Sequence, residues 1–359
     1  MRKIVLYTIL LSAVLFASCV SEEILDVKSD NENIEILFLV SDFRITNFRA
    51  ATRATDPQGT LEERQVNDFY LYLFPGTGNS KPLEKYYIDA GGTVHQINPG
   101  ATPHDGNYIV ADRKVTLDMT RAEAGSREVY IVANSAGDTT LQTALNNVET
   151  IGQLEAVVRS SEQPWSPNIS TPLLMSGNAS YDFITEGNQL NSVSLTRALA
   201  KVELNITLKP EHQGEPVIQQ GIAPNTTQLH QYHYRFLNFD QDSYVLKPAD
   251  KESVNLASSP TSISNPSGWV VWEESGIVTG YTLDSNGKVT EMTLVTYLNE
   301  RDLENPAKPR AAIDIQVPFN DGGALPPPEF AFETYTVLLD TEVKRNHWYL
   351  YDVQIGKQQ

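Results

Sequence analysis

Apolar residues in this chain fall in short runs, many alternating with polar positions, and the runs stop at clusters of Gly, Asn, Asp, Ser and Pro. This is the pattern of strands closed by turns. Phe69-Tyr70-Leu71-Tyr72-Leu73-Phe74 stops at Pro75-Gly76-Thr77-Gly78, and Val129-Tyr130-Ile131-Val132-Ala133 stops at Asn134-Ser135-Ala136-Gly137. A long strand is predicted from Val193 to Leu208. Val193, Leu195 and Leu199 share one parity, while Val202, Leu204, Ile206 and Leu208 share the other. A bend near Ala198 to Lys201 is expected to turn both sets toward the core. Tyr281-Thr282-Leu283, Asp284-Ser285-Asn286-Gly287 and Val289 to Tyr297 read as a hairpin, with the Asn-Gly pair supplying positive φ. Phe332 to Leu339 and Trp348 to Ile355 form the last pair of strands. Helical spacing is confined to Leu141 to Val148 and Thr150 to Val158, the second with a Thr150/Gln153 capping box. These two short helices are predicted to lie across one end of a sheet.

The fold class is therefore all-β, two β-sandwich domains with few short helices. A length of 359 residues suits two domains. The stretch from His212 to Asn225, rich in Pro and Gly, is the candidate linker. It divides an N-terminal sandwich over 54–209 from a C-terminal sandwich over 210–359. Gly322 to Pro328 reads as a loop between late strands, and no repeat of fixed period is present.

The N-terminus carries a different pattern. Arg2 and Lys3 precede an uncharged, mostly apolar run from Ile4 to Phe16, and Ala17 and Ser18 lead to Cys19, the single cysteine of the chain. This has the form of a lipoprotein signal over 1–18, cut between Ser18 and Cys19, with the Cys19 thiol carrying lipid. Phe16 stands where such signals prefer Leu. The run is too short and wrongly flanked for a transmembrane helix. A lone cysteine cannot form an internal disulfide, so lipidation gives it a purpose. Glu22 and Glu23 close behind it resemble the acidic export tag of surface lipoproteins in the Bacteroidetes. No second apolar run is long enough to cross a bilayer, so the body meets the membrane only through its lipid. The formal charge is −18, and loss of Arg2 and Lys3 with the signal makes it −20. A surface of that sign repels nucleic acid and anionic lipid.

Residues 19–53 read as a lipidated propeptide. Ile34-Glu35-Ile36-Leu37-Phe38-Leu39-Val40 is the most apolar run after the signal, with Ile34, Ile36, Phe38 and Val40 on one parity. Soon after it, Asn47 to Gly59 is mostly small and polar and carries Arg49 and Arg53, the composition of a protease-sensitive loop. A buried strand followed by a cleavable loop points to a strand that leaves. Its loss would expose an apolar groove and unpaired sheet-edge amides. A plain first strand followed by a plain loop is the alternative.

Several segments resemble the Bacteroidales fimbrillin family, the subunits of type V pili. They are Thr52-Arg53-Ala54-Thr55, Val66 to Phe74, Val129 to Asn134, Pro172-Leu173-Leu174-Met175-Ser176-Gly177, Leu195-Thr196-Arg197-Ala198-Leu199-Ala200-Lys201-Val202 and Val343-Lys344-Arg345-Asn346-His347-Trp348-Tyr349. The last two are the most specific, because each joins unusual polar residues to strand patterning. The resemblance implies transthyretin-like sandwich topology and travel to the outer membrane as a lipoprotein. It also implies removal of the first strand by an arginine-specific protease, and filling of the groove by a neighbouring subunit's strand. On this basis Arg53 is the expected cut site, Arg49 the second choice, and Ile34 to Val40 the displaced strand. The family's stalk subunits continue past the strand matching Arg345 to Tyr349, whereas this sequence ends at Lys357-Gln358-Gln359. That departure leads to the expectation of a tip or accessory subunit of an extracellular fimbrium. The rival readings are a lipidated pilus anchor and a surface lipoprotein that binds glycans and never polymerises.

Catalytic patterns are missing from the sequence: there is no His-Glu-x-x-His motif, phosphate-cradling Gly loop or Gly-x-Ser-x-Gly elbow. No enzyme, cofactor or metal is expected, although carboxylates are numerous enough for a glycosidase to stand as a distant alternative. His230 and His233, three apart in a segment that reads as a strand, would face opposite sides. Asp240 and Asp242, with Asn238 and Ser243, offer oxygens but not the full spacing of a calcium loop. His347 is expected to hold a structural hydrogen bond. Tyr232, Tyr234, Phe236, Phe239 and Tyr244, and separately Trp269 and Trp272, are either core or a platform for a glycan receptor. Asp138-Thr139-Thr140 resembles an O-glycosylation acceptor. A protein receptor is equally compatible with the sequence.

Overall fold

The computed structural model describes residues 31–48, 57–98, 102–160, 171–220, 227–240, 242–246, 269–274, 279–301, 309–319 and 331–356. Ser18, Cys19, Arg49 and Arg53 lie outside these residues, as do part of the candidate linker and the Gly322 to Pro328 stretch. The first half contains β1 (Asn33–Val40), β2 (Arg44–Phe48), β3 (Phe69–Pro75), β4 (Glu84–Ile88), β5 (Val94–Asn98), β6 (Gly106–Ile109), β7 (Lys114–Thr120), α1 (Arg121–Ala124) and β8 (Ser126–Ala133). It continues with α2 (Thr139–Asn146), α3 (Ile151–Glu155), β9 (Val158–Ser160), β10 (Met175–Asp182), α4 (Phe183–Glu186) and β11 (Gln189–Arg197). The second half contains β12 (Leu199–Leu208), β13 (Val217–Gln220), β14 (Thr227–His230), β15 (His233–Leu237), β16 (Asp242–Tyr244) and β17 (Val270–Val271). Its remaining strands are β18 (Thr279–Leu283), β19 (Val289–Asn299), β20 (Ala312–Phe319), β21 (Ala331–Leu338) and β22 (His347–Ile355). The all-β expectation holds.

Nine strands form one sheet in the order β5-β4-β3-β8-β10-β11-β1-β7-β6. The sheet folds back on itself into a sandwich, so that Phe38 of β1 meets Phe69 of β3 edge to face at 5.1 Å and Tyr108 of β6 meets Phe69 at 5.0 Å. β1 alternates as its sequence requires: Ile34, Ile36 and Phe38 are fully buried, while Leu39 faces outward. β3 does not alternate, because both its faces are covered. Phe69, Leu71 and Leu73 enter the sandwich core, while Tyr70, Tyr72 and Phe74 pack under α2 and α3 with Leu141, Leu145 and Leu154. The two helices therefore cover a sheet face rather than one end, and the Tyr72 hydroxyl donates to the Leu145 carbonyl at 2.9 Å. The Thr150/Gln153 capping box forms at the start of α3.

The parity switch near Ala198 marks a change of sheet, not a bend in one strand. β11 ends in the first sandwich. β12 pairs with β19 and β22 in a second sheet of order β18-β19-β12-β22-β2. Val193 and Leu195 enter the first core, and Val202, Leu204, Ile206 and Leu208 enter the second. The passage between layers thus lies at Ala198, about one strand earlier than the boundary at 209 that linker composition indicated. The second sandwich is closed by β17-β15-β20-β21, whose Tyr234, Ile313 and Val317 share a core with Leu204 and Met292. β21 and β22 exist as expected but stand in opposite sheets, β21 on β20 and β22 between β12 and β2. In the β18–β19 turn only Gly287 takes positive φ, +78°, and the Asp284 carboxylate caps the amides of Asn286 and Lys288.

The glycine that closes the Pro172 to Gly177 motif has a packing reason. A Cβ at Gly177 in β10 would lie 2.1 Å from the Ser194 carbonyl oxygen of β11. Gly177→Ala is expected to push these strands apart and cost about 1–3 kcal/mol. The check is the denaturant midpoint at constant m-value; an unchanged midpoint contradicts this packing.

Candidate functional site

The first two strands are one continuous segment with a strand in each sandwich. β1 is a central strand, parallel to β11 on one side and antiparallel to β7 on the other. Burial of Ile34, Ile36 and Phe38 holds it with about 5–9 kcal/mol, at about 1.5–3 kcal/mol for each side chain. Val40 is half-buried against the same core. Outside the core, Lys114 Nζ and Glu35 Oε1 pair at 2.9 Å. β2 is an edge strand, parallel to β22, with Arg44 opposite His347 and Phe48 opposite Tyr351. Between them the chain turns at the domain junction. The Ser41 amide donates to the Leu195 carbonyl at 2.8 Å, and the Arg44 amide to the Asn346 carbonyl at 2.9 Å. Asn346 adopts φ +56°, and its side-chain amide donates to the Asp42 carbonyl at 2.7 Å.

A buried cluster secures this turn. Arg197, at the end of β11, is 0% exposed. Its guanidinium donates to the carbonyls of Ser41 (2.7 Å), Gln58 (3.1 Å) and Glu63 (3.0 Å) and to the side-chain oxygen of Asn346 (2.9 Å). Burial pulls this guanidinium down to about 10, opposed first by the Glu63 charge, and it stays protonated at neutral pH. Lys201 of β12 pairs with the buried Glu63 carboxylate at 2.8 Å, and the Tyr297 hydroxyl donates to that same carboxylate. Burial alone would push Glu63 up. The Lys201 charge and hydrogen bonds from Lys201, Tyr297 and the Thr60 amide more than reverse it and hold Glu63 below its ordinary 4.5. Phe43 fills the remaining space. The Arg197 guanidinium lies 3.9 Å from its ring centroid, Trp348 meets it edge to face at 6.0 Å, and Lys201 Nζ sits 3.7 Å over the Trp348 ring. Phe43, Trp348 and Leu350 form their own small apolar cluster, with Ile45 packed against it.

The other residues singled out from the sequence are placed as follows. Ile34, Ile36, Phe38 and Val40 come together in β1, while Cys19, Ser18, Arg49 and Arg53 fall outside the described residues. His230 ends β14 and His233 begins β15, so they do not share a strand. Burial, with the nearby His230, lowers His233. The Asn238 and Asp240 loop is engaged within the protein: Asn238 donates to the Arg310 carbonyl, and Asp240 Oδ2 lies 3.4 Å from Arg301 Nε. Among the described residues no group of three or more His, Cys, Asp or Glu converges as metal ligands would. Tyr232, Tyr234, Phe236, Phe239 and Trp272 are core residues, not a platform. Tyr244 and Trp269 are half-buried, Trp269 under the Arg235 guanidinium at 4.5 Å. His347 Nδ1 bonds the Arg345 carbonyl at 3.0 Å, a structural role. Asp138 caps α2 through the Leu141 amide.

A family model for the C-terminal part of the minor fimbrium tip subunit MfA4 matches residues 198–354, and one for the major fimbrial subunit protein FimA matches residues 41–218. The first match begins at Ala198, where the chain changes sheets. The minor fimbrium tip subunit MfA4 of Porphyromonas gingivalis is 40% identical over 363 residues, spanning 99% of this chain and all of that protein. The chain belongs to the Bacteroidales fimbrillin family. This fimbrillin is a fimbrial structural protein rather than an enzyme. Among solved structures, the tip fimbrial protein Mfa3 of P. gingivalis with a C-terminal truncation is similar at TM-score 0.47 and 13% identity, over 91% of this chain and 97% of that one. A candidate cell adhesion protein from Bacteroides eggerthii is similar at TM-score 0.43 and 15% identity, over 91% of this chain and 87% of that one. The two most specific sequence motifs of this fimbrillin supply Arg197, Lys201, Asn346 and Trp348, so they meet on the Phe43 turn. Glu63, Tyr297 and Phe43 carried no sequence signal of their own.

Because Glu63 is depressed, its charge stabilises the fold above its ordinary value, and that contribution is lost as pH falls through the lower folded value. Lys201→Met leaves the carboxylate buried without its cation and is expected to cost about 3–5 kcal/mol at pH 7. The deficit should shrink in acid, where Glu63 is protonated in both proteins. Denaturant titrations of wild type and variant across pH 3–7 check this; a deficit independent of pH contradicts it.

Proposed function

We propose that this fimbrillin is a tip or accessory subunit of a fimbrium in cell adhesion, exported as a lipoprotein on Cys19 and activated by removal of its first two strands. An arginine-specific protease cuts after Arg53, or after Arg49. The segment through β2 then departs with the lipid, and a neighbouring subunit adds a strand between β11 and β7. The tip assignment follows the 40% identical relative, which is a tip subunit. The observation that carries the rest is the position of β1. It is central and buried, yet after it enters β2 the segment's only covalent tie to the body runs through residues 49–56, where both arginines lie.

This arrangement makes departure and replacement two halves of one process. Losing β1 leaves two ladders without partners and an apolar trough where Ile34, Ile36 and Phe38 sat. Unpaired buried amides and carbonyls each cost about 1–3 kcal/mol. The vacant state is therefore unfavourable and is relieved by a strand of the same alternation. A receptor at the exposed end, glycan or protein, belongs to the same reading.

The double variant Arg49→Ala/Arg53→Ala is expected to fold, reach the cell surface and keep its N-terminal segment, and to be absent from sheared fimbriae. Immunoblots of surface and fimbrial fractions check this. Incorporation equal to wild type overturns the cut-and-replace reading, and an uncut, lipidated protein that still nucleates fimbriae favours an anchor.

A further inference from the structure

Resting on that reading, we infer that the Phe43 site is a second recognition pocket, one that selects an aromatic side chain in the incoming strand of a neighbouring fimbrillin. β1 and the Phe43 turn belong to one segment, so a cut between Phe48 and Pro57 frees both. The groove between β11 and β7 then opens directly into the space Phe43 occupied, since Ser41, at the mouth of that space, is bonded to Leu195 of β11 and to Arg197.

The walls of the pocket outlast the departure. Of its hydrogen bonds Arg197 loses only that to the Ser41 carbonyl, along with the Phe43 ring, and keeps those to Gln58, Glu63 and Asn346, all on the C-terminal side of the cut. Lys201 keeps Glu63. Trp348 stands in β22, which stays paired to β12 along its whole length from Lys201 opposite Trp348 to Leu208 opposite Ile355. What remains is a site with a guanidinium on one side, the Trp348 indole on another and Leu350 beside it. Two cations held in a desolvated site attract the face of a π-system. They reject a lysine or arginine and gain nothing specific from an aliphatic side chain. The Trp348 indole N–H is buried without a hydrogen-bond partner among the described residues, so an incoming chain with an acceptor there has one more bond to make than the departing segment had.

The spacing is set by this chain's own segment. The occupant carries inward apolar residues in the places of Ile34, Ile36 and Phe38, then an aromatic residue five positions after the last of these, as Phe43 follows Phe38. Alternation over a buried face forbids a one-residue slip but is preserved by a two-residue slip. A distant aromatic anchored between Arg197 and Trp348 excludes that slip as well, because it would carry the ring out of its site.

The test varies the ligand and leaves the protein intact. The full chain is nicked with an arginine-specific protease, the protease is inhibited, and fluorescein-labelled peptides of residues 31–48 are added. Wild-type peptide is expected to exchange into the nicked protein. A Phe43→Ala peptide should bind on the order of a hundredfold weaker and Phe43→Leu on the order of tenfold weaker, with Phe43→Trp near wild type. Wild-type and Phe43→Leu peptides binding alike overturns the aromatic pocket while the removable-strand reading stands. A nicked protein that exchanges no peptide overturns both. A Phe38→Ala peptide reports the groove alone, and its loss of binding with no loss for Phe43→Ala confines recognition to β1.

Discussion

The Arg197 guanidinium is the constraint on which the junction depends. It sits where β11 gives way to β12, fully removed from water, and its four hydrogen bonds reach Ser41, Gln58, Glu63 and Asn346. A buried cation of this kind is costly unless nearly all its donors are satisfied. Satisfying them draws the N-terminal turn, the chain just after residues 49–56, and the β22 approach to a single point. The two sandwiches are thereby joined by backbone carbonyls converging on one side chain, with the Glu63 carboxylate, held by Lys201 and Tyr297, supplying the nearby negative charge.

That geometry gives the first two strands their unusual standing. β1 is central in its sheet and could not be lost from an ordinary domain without collapse. Under the proposed function, a single break within residues 49–56 would separate it together with β2. Its energetic hold is large, three buried side chains and two ladders, and in the proposed exchange the replacing strand would offer the same alternation. Arg197 touches both sides of the candidate cut, through Ser41 before it and Gln58 and Glu63 after it. Under the proposed cut, the bonds from Arg197 to Gln58, Glu63 and Asn346 would all remain on the far side.

Much of the fold was legible because β-structure writes itself with a period of two. β8 read from a continuous apolar run stopped by a turn cluster, the β18–β19 hairpin from its Asn-Gly turn, and the two short helices from helical spacing, the second with its Thr150/Gln153 capping box. β3 read as continuous apolar residues because two cores claim it. The layer boundary was not legible at its true place. A parity switch signals either a bend or a change of sheet, and only pairing with β19 and β22 decides. The aromatic run from Tyr232 to Phe239 offered two readings for the same reason: burial, not composition, makes it core. Around the site, Arg197 and Asn346 were visible as odd polar residues in strand motifs. Their partners were not, since Arg197 and Glu63 are 134 positions apart and Phe43 stands alone in a polar turn.

The central claim is that the segment carrying β1 is absent from the assembled protein. The most direct measurement is the N-terminal sequence of this subunit in fimbriae sheared from the cell surface. A start at Ala54, or at Ala50, is the predicted result. A lipidated Cys19 as the sole N-terminus of the assembled subunit would contradict it.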